Sequence, residues 1–322
     1  MRCLVIRMSS LGDVVLATAV LGPLREHFHS AEVVWLTKPP YDSLLRDDPR
    51  VSGVISWDRG RLFPPASLRA GSFDLILDLH CIPKTWLISA ILPARRRLRY
   101  PKARRHRKAL VRGRTDRPVP HTVERYLQAL GVRARGKPRV FVSGEARRRA
   151  EELLIGVPRP FAAVAPGARW PAKRWTSEGF AQVIEGLRAR GLGVVLVGDE
   201  KDVEFAEEVR ALARPEVPSL VGKTGLPSLA GVLSMASVLL GNDSGPVHLA
   251  NAVGTPAVAI FGPTHPKLGF SPLEGRALTA DLPCSPCSLH GERPCPRGDR
   301  ACMRRITPEE VLEALEEVLC TS

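Results

Sequence analysis

Ser9-Ser10-Leu11-Gly12-Asp13 sets a carboxylate beside a glycine, just past a short apolar run. The glycine allows a ligand close to the backbone, and the carboxylate can take a proton from a hydroxyl. Asp13 can equally cap the helix that follows. Gly241-Asn242-Asp243-Ser244-Gly245-Pro246-Val247-His248 is a second such turn, opening a helical segment. Free N–H groups at Ser244, Gly245 and Val247, with the helix dipole behind them, suit an anionic phosphate. An ordinary helix cap beside a packed histidine is the other reading.

Pro166–Trp175 also follows an apolar run and carries Lys173 and Arg174, which can neutralise a leaving diphosphate or simply face solvent. Gly198-Asp199-Glu200 ends another run, where an acid can accept hydrogen bonds from a ribose or cap a helix. Cys284, Cys287, Cys295 and Cys302 lie close together, with His290 among them. Four thiolates can hold zinc or an iron–sulfur cluster. The first gap fits zinc, the longer two match no standard spacing, and free thiols or an oxidised pair stay open. Cys3 and Cys81 read as buried structural thiols. No Gly-x-Gly-x-x-Gly follows a strand, and Gly222-Lys223-Thr224 has Val217 where a P-loop needs glycine.

The elements that must carry these turns alternate. Leu4–Arg7, Val33–Leu36, Leu75–Leu79, Ala162–Ala165, Val194–Val197, Val238–Leu240 and Val258–Phe261 read as short, nearly all-apolar strands. Helical patterns lie between them, including about Asp13–His27, the face Phe180, Val183, Ile184, Leu187, and the face Phe205, Val209, Leu212. Thr307-Pro308-Glu309-Glu310 is a capping box that starts a last helix over 307–320. Such alternation predicts an α/β chain with parallel sheets covered on both faces. Gly156–Pro160 predicts a division into 1–157 and 158–322.

The chain has 322 residues, 44% hydrophobic and 25% charged, which fits two soluble domains and excludes fibrous or wholly disordered chains. No apolar run is long enough to span a bilayer and the N-terminus lacks a signal-peptide pattern, so a cytoplasmic protein is expected. The net charge of +14 is concentrated in Arg95–Arg117, with 12 basic side chains against Asp116. That run reads as a solvated loop or as a contact for anionic lipid or a phosphorylated acceptor. Tyr100 is its one aromatic, so no base-stacking platform exists and no nucleic acid is expected.

RMSSLGDVVLATAVLGPLR, DLILDLH, HTVERYLQALG, VAPGARWPAKRW, VVLVGDEKD and LLGNDSGPVHLANAVGTPAVAIFGPTHP occur in that order. Together they resemble glycosyltransferase family 9, the ADP-heptose:lipopolysaccharide heptosyltransferases. The resemblance implies a GT-B architecture, two Rossmann-like domains with parallel sheets facing a central cleft. It implies the acceptor on the N-terminal domain, the nucleotide-sugar on the C-terminal one, and an inverting, metal-independent heptosyl transfer to a lipopolysaccharide inner-core acceptor. Asp13 falls on the family's proposed base and Lys173 on its phosphate-binding lysine. Asp243, Ser244, Gly245 and His248 fall on its donor motif, and Glu200 falls near its ribose-binding acid. Gly12, Gly167 and Arg169 join the donor side, with Ser10 and Lys84 on the acceptor side. The Cys segment is similar to one in many members, and the membrane carrying the acceptor implies a peripheral place on its inner face. Another nucleotide-sugar or glycan acceptor is the nearest alternative, and a polyanion-binding protein built on Arg95–Arg117 is a more distant one.

Overall fold

The computed structural model describes residues 1–28, 31–58, 66–69, 71–131, 136–213 and 217–321. The chain forms two compact units, Met1–Lys102 with Thr122–Ser143, and Ala103–His121 with Gly144–Ser322.

In the first unit β1 (Arg2–Ile6), β2 (Glu32–Thr37), β3 (Gly53–Ser56), β4 (Phe73–Asp78) and β5 (Ala94–Arg99) form a parallel sheet of order β3-β2-β1-β4-β5. Helices α1 (Leu11–Ala17), α2 (Leu21–His27), α3 (Ala66–Arg69) and α4 (Pro83–Ile91) connect them. The chain then enters the second unit as α5 (Arg104–Val111) and returns as α6 (Thr122–Ala129). The strand order reverses between β1 and β4. Ligands of open parallel sheets bind past the carboxyl ends at such a reversal. Arg7–Asp13 lies there.

The second unit holds α7 (Gly144–Leu153), β6 (Phe161–Ala165), α8 (Ser177–Ala189), β7 (Gly193–Leu196), α9 (Val203–Ala213), α10 (Leu226–Ser234), β8 (Val238–Asn242), α11 (Gly245–Ala252), β9 (Ala257–Ile260), β10 (Gly275–Leu278), α12 (Ala301–Arg304) and α13 (Pro308–Thr321). Its parallel sheet has the order β10-β9-β8-β6-β7 and reverses between β6 and β8. The 166–175 loop leaves β6, and the 241–248 turn leaves β8, both at that reversal. Each unit is thus doubly wound, as the expected α/β class requires. The C-terminal capping box forms, with Thr307 N–H donating to Glu310 Oε2 at 2.8 Å and Glu310 N–H to Thr307 Oγ1 at 3.3 Å.

Several local expectations change. The helix read over Asp13–His27 is α1, a 3₁₀ turn at Thr18–Val20, and α2. Thr18 hydrogen-bonds back to the Val15 carbonyl at 2.7 Å, which favours that tightening. On α9 the buried face is Ala206, Val209 and Ala213, and Leu212 is exposed. The units also divide elsewhere than at 157/158. Helix α7 packs in the second unit on α10, where a side chain at Gly231 would lie 2.7 Å from the Ala146 carbonyl oxygen. The basic run is not one loop. Its first part is the edge strand β5 and its middle is α5, whose Leu110 packs with Val119 and Leu268.

Candidate functional site

Two clusters of chemically capable side chains form, one at each sheet reversal. In the first unit Asp13 occupies the third position of α1 with Ser10 as the N-cap. Its Oδ2 accepts from Ser10 N–H at 3.3 Å and from Ser10 Oγ at 3.0 Å. Its Oδ1 lies 2.5 Å from Arg7 Nη2, and the Tyr126 hydroxyl on α6 reaches it at 3.4 Å. Asp13 therefore caps the helix with one oxygen and has the other held by a buried cation, so the two readings of this residue are compatible. Arg7 is anchored in turn by donating to the Leu79 carbonyl at 2.5 Å.

Burial pushes the Asp13 carboxyl upward, but the Arg7 charge and the Ser10 hydrogen bonds outweigh it and hold the pKa below the ordinary 3.8. Asp13 is therefore an anion at neutral pH, with its two oxygens engaged by Ser10, Arg7 and Tyr126. Burial pushes the Tyr126 phenol well up, so it remains a neutral donor. Tyr126 packs edge-on against Tyr100 at 4.8 Å, and Arg125 lies 5.7 Å from the Tyr100 ring. Lys102 donates to the Cys81 carbonyl at 2.8 Å, and burial first, with the Arg7 charge, lowers its pKa. Of the other expected residues, Gly12 is buried and Ser10 exposed, while Lys84 Nζ lies 4.0 Å from the Trp57 ring centroid. Cys3 and Cys81 are buried thiols, as expected.

In the second unit Lys173 Nζ lies 2.7 Å from Asp243 Oδ2, which also accepts from Thr264 Oγ1 at 2.7 Å. This pair stands at the start of α11, where Ser244 is the N-cap and Gly245 and Val247 supply first-turn N–H groups. The Ser244 hydroxyl oxygen is buried without a hydrogen-bond partner among the described residues. His248 is buried on the first turns of α11, and its charge contributes to Asp243's shift. Burial pushes the Asp243 carboxyl up, but the Lys173 charge and the bonds from Lys173 and Thr264 hold it below 3.8.

Asn242 sets this geometry. It is fully buried, its Oδ1 accepts from Trp175 N–H at 2.9 Å, and its Nδ2 donates to the Pro166 and Gly167 carbonyls at 2.7 and 3.3 Å. It ties both ends of the Lys173 loop to β8. Asn242→Leu leaves those backbone groups without partners, and the expected loss is about 3 kcal/mol in urea unfolding, with weaker anion binding.

Gly167 has no room for a side chain, since a Cβ there would lie 2.0 Å from Asp202 Cγ, so it offers only backbone. Arg169 is exposed with its guanidinium 5.3 Å from the Trp170 ring, and Glu200 is exposed in a 3₁₀ turn capped by Asp199. Neither joins the Lys173–Asp243 pair through a hydrogen bond or ion pair in the structure. The residues that sequence spacing missed are Arg7, Tyr126, Asn242, Thr264 and Arg300. Arg300 donates to the Pro171 and Arg174 carbonyls at 3.3 and 2.5 Å, on either side of Lys173. Gly291 lies against the lysine stem, with a Cβ there 2.4 Å from Lys173 Cγ. The Cys-rich segment thus braces the lysine.

Cys284, Cys287, Cys295 and Cys302 line one cavity of about 20 Å³. Among the described residues, however, no group of three or more His, Cys, Asp or Glu side chains is placed to hold a metal ion. The expected ligand set is gathered by the loop but not drawn to metal spacing. Burial and the neighbouring thiols push the Cys302 thiol up to about 11.

Asp13 and Asp243 both have folded pKa values below their unfolded value. Each therefore contributes stability that is present above about pH 4 and is lost as pH falls through the folded value. The urea midpoint should drop as pH falls below about 4, and Asp243→Asn should shrink that drop.

Residues 65–295 match the family model described as glycosyltransferase family 9 (heptosyltransferase). A lipopolysaccharide core heptosyltransferase of Haemophilus influenzae is 24% identical over 81% of this chain and 79% of its own length. The solved ADP-heptose lipopolysaccharide heptosyltransferase II of Escherichia coli superposes with a TM-score of 0.78, at 27% identity, over 100% of this chain and 99% of the other. A glycosyl transferase family 9 structure from Veillonella parvula gives 0.81 at 22% identity over 100% and 97%, a likeness of fold.

Proposed function

The chain belongs to glycosyltransferase family 9, and from that premise we propose that this glycosyltransferase moves a heptose from ADP-heptose to an inner-core sugar of a lipopolysaccharide acceptor, with inversion at the anomeric carbon. The acceptor hydroxyl oxygen attacks the anomeric carbon, the bond to the diphosphate breaks, and ADP leaves with the electron pair. Asp13 takes the hydroxyl proton. Lys173 and the N–H groups opening α11 hold the leaving diphosphate, and Asp243 meets the sugar side. Asp243, Ser244, Gly245 and His248 form the core of the donor set, Gly167, Arg169 and Glu200 of the same unit and Gly12 of the first unit are also assigned to donor binding, and Ser10 and Lys84 serve the acceptor.

One observation supports the donor side above all. A lysine with little solvent exposure is fixed at the start of a helix, 2.7 Å from Asp243, at the reversal of the second sheet. Positive charge and free N–H groups at a helix N-terminus are what a diphosphate needs. Because this charge is supplied by the protein, the transfer step is proposed to need no metal. Calorimetric titration with ADP, UDP and NAD tests the reading. ADP binding in preference to the other two supports it, and preference for UDP replaces the donor while keeping the reaction class.

The four thiols that share one cavity support a separate reading of the Cys segment as a structural clip for zinc or an iron–sulfur cluster. Binding would require the thiols to close inward. Metal analysis of the purified chain, beside Cys284→Ser, checks this, and a clip predicts bound metal that the variant loses. No helix among the described residues is long and apolar enough to cross a membrane. We place the enzyme in the cytoplasm, peripheral to the membrane that carries its acceptor.

A further inference from the structure

Helix α4 turns an apolar face to water. Its inner face carries Thr85, Ile88 and Ser89, with Ile88 packed in the core beside Leu92. Its outer face carries Trp86, Leu87 and Ile91, which are 45%, 63% and 52% exposed. No charged residue occurs from Thr85 to Ala94. A helix at a protein surface ordinarily turns charged or polar residues to water, so this face is unusual.

The edge strand β5 follows directly and brings Arg95, Arg96, Arg97 and Arg99, all exposed. Two of these arginines are tied to the helix. Arg97 donates to the Ser89 carbonyl at 2.7 Å and to the Leu92 carbonyl at 2.8 Å, and the Arg99 guanidinium lies 5.6 Å from the Trp86 ring. Asp74, 3.7 Å from Arg95, is the acid that meets this group. The same small region of the first unit thus presents an aromatic, two aliphatic side chains and the guanidinium groups of Arg95, Arg97 and Arg99, which strand alternation sets on the α4 side of the sheet while Arg96 faces the other way.

We propose that α4 and β5 form a docking surface for an anionic phospholipid bilayer. Leu87 and Ile91 would enter the acyl boundary, Trp86 would lie at headgroup level, and the arginines would meet lipid phosphates. The charge argues for this occupant over a second copy of the chain. A two-fold contact through the same patch would set arginine against arginine. The apolar ridge argues against nucleic acid, whose phosphates need only the arginines. The inference extends the proposed lipid-borne acceptor. Its test reads vesicle binding rather than transfer, so either can fail without the other.

The test is flotation of the full chain with vesicles of phosphatidylethanolamine and phosphatidylglycerol, and with phosphatidylcholine alone. Wild type should bind the anionic vesicles far better, and binding should fall with added salt. Trp86→Ser/Leu87→Ser/Ile91→Ser should weaken binding at least about tenfold. Arg95→Gln/Arg99→Gln, on the side of β5 that faces α4, should cost about fivefold per arginine and most of the anionic preference. Both variants alter solvent-facing side chains outside the donor and base clusters, so thermal midpoint and ADP binding should match wild type. Equal flotation of the triple variant and wild type would overturn the proposal. So would equal binding to phosphatidylcholine, or a dimer in solution that the triple variant abolishes while vesicle binding persists.

Discussion

Asp13→Asn should lower the transfer rate by about 10²–10⁴-fold while leaving ADP affinity unchanged. The asparagine keeps the shape of the side chain and its amide oxygen can still face Arg7, but it has no lone-pair base of carboxylate strength. Alanine is the harsher change. Arg7 is buried and has Asp13 as its ion-pair partner at 2.5 Å, so either change leaves that charge uncompensated, and Asp13→Ala also removes the hydrogen bonds from Ser10. Breaking such a pair costs about 3 kcal/mol or more of stability. Loss of transfer in both variants, assayed well below both thermal midpoints, with the smaller drop in midpoint in Asp13→Asn, separates the chemical role from the structural one. Full activity in Asp13→Asn would remove Asp13 as the base and leave it a helix cap.

Lys173→Ala should reduce turnover about 10²–10³-fold, the usual effect of removing one preorganised donor to a developing anion. Unlike the Asp13 change, it should also weaken ADP binding. Two effects act together. The diphosphate loses its cation, and Asp243 loses the partner that holds its charge, leaving a carboxylate beside the anion. Lys173→Ala/Asp243→Asn should therefore recover part of the ADP affinity lost in the single variant, a coupling that a double-mutant cycle measures. Turnover should not recover, because no group replaces the ammonium. Unchanged ADP affinity in Lys173→Ala would move the diphosphate away from this lysine.

The strands that sequence patterning identified are β1, β2, β4, β6, β7, β8 and β9. Most are buried on both faces and read as continuous apolar runs. The three it missed, β3, β5 and β10, all lie at sheet edges. Gly53–Ser56, Ala94–Arg99 and Gly275–Leu278 are partly or largely exposed, so their sequences keep glycine and arginine and lose the signal. The arginine-rich β5 looked like part of a loop for that reason.

The site shows the same split. Asp13, Lys173 and Asp243 stand in turns next to apolar strands, where a short-range pattern reveals them. Their partners are brought by topology. Tyr126 reaches Asp13 across 113 positions of sequence, and Trp175 donates to Asn242 across 67. No local spacing encodes such pairs. Arg7 was the exception that could have been found. It is a charged residue ending an apolar strand, six positions before the acid it holds, and a buried arginine needs an anion nearby.

The most direct test of the account is transfer itself. The full chain is incubated with ADP-heptose and a lipid A–core acceptor, and the acceptor is followed by mass spectrometry. The expected result is the gain of one heptosyl unit per ADP released, slowed about 10²–10⁴-fold in Asp13→Asn and about 10²–10³-fold in Lys173→Ala. An acceptor unchanged with ADP-heptose but glycosylated from a UDP- or GDP-sugar would contradict the heptosyl assignment.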